Sequence, residues 1–350
     1  MGTGERKEEH IRVCVEKDVE FREKSTGLED VSFRDVELVY QALPEAALEK
    51  VGTETEFMGK RFKAPLMVSA ITGGTEEAKK INLEIAAVCE ELGIGFGLGS
   101  QRAMLEDPKK DETYKARCVA PTIFIAGNIG AAQLKEYGID RIAAALESVG
   151  ADALAIHLNA AQEAVQSEGT TDFRGCIKEI GKLASKMRKP VYVKEVGAGI
   201  SKEAAKRLTR TKIKAIDVQG AGGTSWTAVE YERNNEKEQT FREFGIPTAA
   251  SILEVKKGFK RKIVASGGIR NGLDCVKGLV LGADLCGIAL PVLRAQQAGG
   301  SGEVKKYLER VIGEIRTGMF LVGANKVKDL RKRKYVLQGR TLEWARQRKL

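Results

Sequence analysis

The stretch Ala151-Asp152-Ala153-Leu154-Ala155-Ile156-His157-Leu158-Asn159-Ala160-Ala161-Gln162-Glu163 passes from a short apolar segment directly into polar side chains. Its first half, Ala151 to Ile156, reads as a strand buried on both faces, as in a parallel sheet. The polar half therefore begins where that strand leaves the sheet. In folds built from parallel strands, this edge is where ligands bind. An imidazole, two amides and a carboxylate at such a mouth are candidate site residues, although a histidine after a strand can equally bond a neighbouring loop.

The same pattern recurs outward in both directions. Pro65–Ile71 leads to Thr72-Gly73-Gly74 and a helical stretch from about Thr75 to Leu92. Ile94–Leu98 leads to Gly99-Ser100-Gln101-Arg102, and Thr122–Ala126 to Gly127-Asn128. Val191–Val193 ends in Lys194-Glu195-Val196-Gly197, and Ile213–Val218 in Gly220-Ala221-Gly222-Gly223-Thr224-Ser225-Trp226. Ile263–Ala265 ends in Ser266-Gly267-Gly268-Ile269-Arg270, and Asp284–Ile288 in Ala289-Leu290. Eight such runs, mostly followed by helical periodicity, predict an α/β fold, a (β/α)8 TIM barrel. An open doubly wound sheet is the alternative topology. The expected organisation is a single domain over 1–350, with an N-terminal extension at 1–62, the barrel at 63–325 and a basic C-terminal tail at 326–350. Arg6-Lys7-Glu8-Glu9-His10 should open a helix, and the alternation at 53–57 suggests an edge strand. Glu230 to Phe244, dense in charge, reads as a long loop over the mouth and a candidate lid.

Composition narrows the function classes. With 43% hydrophobic residues in 350, the chain can build a sizeable core. Glycine, at 38 residues, exceeds the usual share of roughly 7% and gathers after the apolar runs. Residues 326–350 hold ten Lys or Arg against two acids, Asp329 and Glu343, and so carry +8 of the net +10. The body is thus close to neutral, which argues for a solvated helix face or a subunit contact rather than a nucleic-acid footprint. The six cysteines lack C-x-x-C spacing and read as reduced, mostly buried thiols. With no secretory segment and no apolar run long enough to span a bilayer, a soluble cytoplasmic protein is expected.

The last strand ends carry the clearest chemistry. Gly267, Gly268 and the Ala289-Leu290 turn place bare N–H groups where barrels commonly bind phosphate, and Arg270 adds charge there or pairs outside. Gly222-Gly223-Thr224 offers a second donor set. A phosphate between these loops, with Lys194 one strand earlier, describes a flavin mononucleotide (FMN), whose reduced ring a lysine stabilises. The other reading of Lys194 is a buried structural ion pair. Arg6, Lys7, Arg102, His157 and Asn159 supply donors for a second polyanion. Glu163 is a hard oxygen ligand, and one carboxylate beside a diphosphate suffices for Mg²⁺. The loop Gln219-Gly220-Ala221-Gly222 has no histidine, which disfavours flavin oxidation of a hydroxy acid.

Taken together, these motifs resemble the type 2, FMN-dependent isopentenyl diphosphate isomerases over nearly the whole chain. The resemblance rests on Arg6-Lys7 with His10, Thr72-Gly73-Gly74, Gly99-Ser100-Gln101-Arg102, Gly127-Asn128, His157-Leu158-Asn159 with Gln162-Glu163, Lys194-Glu195-Val196-Gly197, Gly222-Gly223-Thr224-Ser225-Trp226 and Gly267-Gly268-Ile269-Arg270. Ala160-Ala161 stands where members often carry Pro-Leu, and neither residue brings a functional group.

The resemblance implies FMN contacts at Ala70, Ile71, Thr72, Ser100, Asn128, Lys194, Thr224, Gly268, Arg270, Ala289 and Leu290. It implies a substrate diphosphate at Arg6, Lys7, Arg102, His157 and Asn159, Mg²⁺ on Glu163, and Gln162 facing the isoprenoid carbons. It further implies NADPH as reductant of the flavin and a homo-oligomer, tetramer or octamer. The reaction it implies is a 1,3-allylic proton shift between isopentenyl and dimethylallyl diphosphate. A neutral amide is a poor acid near pH 7, so the hypothesis assigns the proton to reduced flavin at N5 or N1, with Lys194 balancing charge and Gln162 orienting or relaying. The competing classes are another FMN-barrel oxidoreductase, acting on a small organic acid or nucleotide, and a nucleic-acid-binding protein using the basic tail.

Overall fold

The computed structural model describes residues 3–21 and 33–350, so residues 1–2 and 22–32 of the expected N-terminal extension lie outside the described residues. Eight parallel strands close into a barrel in chain order. They are β1 Leu66–Val68, β2 Gly95–Gly97, β3 Ile125–Gly130, β4 Ala153–His157, β5 Val191–Lys194, β6 Ala215–Asp217, β7 Lys262–Ser266 and β8 Leu285–Ile288. The open-sheet alternative is ruled out by closure, since β8 pairs with β1 from Cys286↔Leu66 to Ile288↔Val68.

Strand residues point alternately into the barrel and out toward the helices. Met67, Ala126, Ala153, Ala155, Tyr192, Ala215, Val264 and Leu285 form the inner cluster. Their neighbours Leu66, Val68, Ile125, Leu154, Ile156, Val193, Ile216 and Ile263 belong to the larger outer core against the helices. Both faces are dry, so the sequence shows continuous apolar runs rather than alternation. The expected edge strand is one arm of a hairpin, Thr55–Phe57 paired with Lys60–Phe62. It sends Phe57 and Phe62 into the inner cluster, where Phe57 meets Phe124 edge to face at 5.8 Å between ring centres.

Two residues further along the inward-facing positions, the barrel interior turns polar. Ser69 follows Met67, Asn128 follows Ala126, His157 follows Ala155, Lys194 follows Tyr192, Asp217 follows Ala215 and Ser266 follows Val264. The same period that buries the core therefore aims these groups at one level above it. His157 and Lys194 are register partners, as are Lys194 and Asp217.

Several sequence-based boundaries move. Gly127-Asn128, expected as a loop, is inside β3, because pairing with β4 continues from Ala126↔Ala153 to Gly130↔His157. His157 and Lys194 are the final residues of their strands rather than the first beyond them. The start of the candidate lid is helical: Trp226–Arg233 is a helix whose N-cap Ser225 accepts from Ala228 N, and it carries Glu230 into the interior. The basic tail is folded structure. Tyr335–Leu337 pairs antiparallel with Val36–Leu38, and helix Gly339–Arg348 docks through Trp344 Nε1 and Arg348 Nε on the buried Glu254 carboxylate, at 2.9 and 2.7 Å. Among the described residues, no helix is long and apolar enough to cross a membrane.

Candidate active site

A cavity of about 210 Å³ opens beyond the C-terminal ends of the strands, and the site residues nominated from the sequence line it, Gly222 of the second glycine loop excepted. Arg6, Lys7 and His10 come from the N-terminal helix Thr3–Glu16, the remainder from the strand ends and the loops after them.

One side gathers cations. Lys7 Nζ donates to Ser100 O at 2.8 Å and to the Tyr114 hydroxyl at 2.6 Å. Burial, then the charges of Arg6 and Lys110, push its pKa down to about 7. Arg102 is half engaged, its Nε 2.7 Å from Glu106 Oε1. His157 Nδ1 lies 2.9 Å from Asn128 Oδ1, and Asn128 Nδ2 is already committed to Leu98 O at 3.2 Å. Nδ1 is therefore the protonated nitrogen. Burial, with Lys194 and Lys7 nearby, pushes the His157 pKa down to about 3, so Nε2 carries a lone pair until an anion arrives.

Beside these donors lies a pocket of oxygens. Asn159 Nδ2 donates to Glu163 Oε1 at 2.8 Å, while Glu163 Oε2 accepts from Thr170 N at 2.5 Å. Asn159 Oδ1 is buried and has no partner. A buried acceptor left open next to a carboxylate is what a hard cation requires. No cluster of three or more His, Cys, Asp or Glu is present among the described residues, so such an ion would complete its shell with water and substrate oxygens.

Gln162 Nε2 donates to Glu230 Oε1 at 2.9 Å, and His10 Nε2 stands 3.0 Å from the same oxygen. Arg233 pairs with the other carboxylate oxygen. Burial alone would raise the Glu230 pKa, but the bonds from His10 and Gln162 and the Arg233 charge hold it below the usual carboxylate range. Trp226 packs edge-on against His10, ring centres 5.1 Å apart. Glu230 is not among the site residues that the sequence points to. The Ser225 cap was the signal available, since it starts a helix that cannot be a loop at Glu230.

Next to His157, Lys194 is buried at the end of β5, its Nζ donating to Glu195 O at 2.8 Å. Burial lowers its pKa, with Asp217 and Glu195 opposing that shift. The alternative role for Lys194, a direct structural ion pair, is not what its hydrogen bond describes. Glu195 folds back to accept from Val196 N and Gly197 N at 2.7 and 2.6 Å, which fixes the carbonyl that Lys194 uses.

Above it, the two glycine loops touch. A Cβ on Gly223 would stand 2.6 Å from Gly268 N, and Gly267 and Gly268 have φ of +96° and +78°. Only glycine leaves these N–H groups open at that spacing. Arg270 points inward, its Nη1 on Gly268 O at 2.8 Å and its Nη2 2.6 Å from Glu20 Oε1. The cradle therefore fits a phosphate, and its position at the exits of β6 and β7, beginning one strand on from Lys194, fits FMN.

Comparison with known proteins agrees. Residues 144–337 match the FMN-dependent dehydrogenase family model. The isopentenyl-diphosphate delta-isomerase of Methanosarcina barkeri is 44% identical over 99% of this chain and 95% of its own length. The chain belongs to the isopentenyl-diphosphate delta-isomerase family. Other isopentenyl-diphosphate delta-isomerases say the same: that of Ignicoccus hospitalis is 45% identical over 99% of this chain and 97% of its own, and that of Thermococcus onnurineus 44% over 98% and 94%. Among solved structures, a mandelate oxidase variant superposes with a TM-score of 0.67 at 18% identity, covering 95% of this chain and 99% of that one. This last likeness speaks to the barrel alone.

Proposed function

We propose that this isomerase interconverts isopentenyl and dimethylallyl diphosphate by a 1,3-allylic proton shift, using reduced FMN and Mg²⁺. The observation that carries it is the pairing of two separate anion cradles in one cavity: Gly223, Gly268 and Arg270 on one wall, Lys7, Arg102, His157 and Asn159 on the other. A cofactor phosphate takes the first and a substrate diphosphate the second. Glu163, with the open Asn159 oxygen beside it, would hold Mg²⁺, which would supply positive charge to a bound diphosphate.

Bound reduced flavin supplies the group that gives and takes a proton near neutral pH. Lys194 balances negative charge on the ring, and its burial strengthens that interaction. Gln162 is oriented by the anionic Glu230, which leaves its amide to align the isoprenoid carbons. Neutral His157 becomes a donor at Nε2 when the diphosphate raises its proton affinity. NADPH serves as the source of reduced flavin, and a homo-oligomer, tetramer or octamer, in the cytoplasm is the expected form. The functional unit is the single barrel domain with its extension and basic C-terminal segment.

The test is incubation of the protein with isopentenyl diphosphate, FMN, NADPH and Mg²⁺ in deuterated water. Label in dimethylallyl diphosphate with far less than one NADPH consumed per turnover supports isomerisation. Stoichiometric NADPH consumption, or absence of label, overturns it in favour of an FMN-barrel oxidoreductase. Against that alternative, the chain has only two histidines, and His10 is engaged with Glu230.

A further inference from the structure

The segment after the N-terminal helix is stitched to the phosphate cradle. Phe21 N donates to Gly223 O at 2.9 Å and Ser225 N to Val19 O at 2.7 Å, which makes Glu20 and Thr224 an antiparallel bridge pair. Between those bonds the Glu20 side chain lines the cavity and divides its two oxygens. Oε1 lies 2.6 Å from Arg270 Nη2, and Oε2 lies 2.7 Å from Arg294 Nη1. Arg270 also donates to Gly268 O at 2.8 Å and Gly222 O at 3.1 Å, so a single carboxylate closes a unit containing both glycine loops. From outside, Arg242 Nη2 fastens the same segment through Asp18 O at 2.7 Å.

A carboxylate on the wall of a cavity that collects anions is unfavourable by charge alone. Its connections explain its presence. Only a few residues separate Glu20 from the end of the helix that carries Arg6, Lys7 and His10 into the opposite wall.

We propose that Glu20 is a positioning residue that couples the two anion sites. It fixes Arg270 at the cofactor phosphate and, through the short link at 17–19, seats the helix that presents Arg6 and Lys7 to the diphosphate. This rests on the functional reading above. Filling either site then steadies the element the other needs, so each ligand tightens the other by the same factor, as linkage requires. A carboxylate that merely braced the fold would shift each affinity without linking them.

The experiment measures FMN affinity by quenching of flavin fluorescence on the flavin-free protein, with and without saturating inorganic pyrophosphate and Mg²⁺. In the wild type, pyrophosphate should tighten FMN by about fivefold or more, and in Glu20→Gln by less than about twofold. Arg294→Met, which removes the second anchor outside the cavity, should show the same collapse and carries the test should Glu20→Gln not fold. A wild type with no mutual tightening, or variants that keep it in full, would overturn the coupling. Failure of FMN or pyrophosphate to bind at all would instead overturn the functional reading; binding of both without linkage sinks only the role of Glu20.

Discussion

Gln162 and Glu230 are 68 positions apart in sequence, yet the Gln162 amide donates to the Glu230 carboxylate at 2.9 Å. The bond joins the short helix Ala160–Val165 after β4 to the helix after β6, and it holds a neutral group with an anion that is itself held by His10 and Arg233. Charge-assisted bonds of this kind are short and directional, so they set orientation. Glu230→Gln should therefore lower kcat by about 10²-fold, the usual cost of a small misplacement of a reacting group, with KM for the diphosphate little changed. Steady-state kinetics at saturating Mg²⁺ distinguish this from a loss of substrate binding, which would appear in KM.

Lys7 predicts a pH dependence. Its pKa of about 7 means the ammonium is present below that pH and lost above it, so kcat/KM for the diphosphate should fall as pH rises through 7 in the free enzyme. Lys7→Gln should flatten that limb. The stability linkage has the opposite sense: between about 7 and the ordinary 10.5 the unfolded chain holds a proton that the folded chain does not. Over that window Lys7 makes the protein more stable as pH rises. A kcat/KM profile unaltered by the substitution would remove Lys7 from substrate binding.

Glu163→Gln keeps the shape of the side chain and removes the charge a hard cation needs. The Mg²⁺ concentration for half-maximal activity should rise by about 10–100-fold, a range already reached when only an outer partner of a metal ligand is lost. Chelation of wild-type protein should stop turnover while flavin absorbance stays with the protein on a desalting column. An unchanged metal requirement would dismiss Glu163 as the ligand.

Gly223→Ala would put a methyl group 2.6 Å from Gly268 N. FMN affinity should drop by about tenfold or more, roughly 1.4 kcal/mol. Riboflavin, which lacks the phosphate, should bind wild type and variant alike. Equal losses for both flavins would mean that the cradle serves the ring or the ribityl chain instead.

Phe57→Ala opens the inner cluster at the end of the barrel away from the cavity, where Phe57 meets Phe62 and Phe124. It should cost about 3–5 kcal/mol in denaturant unfolding, while flavin binding to the folded fraction is retained. A milder loss would mean the hairpin is an ornament rather than a plug.

Much of this chain could be read before folding. Apolar runs ending in glycine or polar clusters specify a barrel because strands buried on both faces must be apolar throughout, and their exits must turn toward helices. Gly223, Gly267, Gly268, Lys194, His157 and Glu163 stood out because each sits at such an exit, and chain order plus barrel closure brings all exits to one rim. Boundaries were less visible. Gly127-Asn128 resembles a loop locally, and only the pairing of β3 with β4 as far as His157 makes it strand.

What tertiary structure alone decided is partnership. Nothing in the local sequence around Glu230 says that its carboxylate meets Gln162 and His10, nor around Glu20 that it joins Arg270 to Arg294. The barrel and the chemistry arrayed on its rim are already legible in the order of the residues, since periodicity and turn residues act over a few neighbouring positions. Which charged groups oppose one another across the cavity depended on how the N-terminal helix and the Trp226–Arg233 helix pack over the closed barrel. That packing is set by contacts between residues hundreds of positions apart.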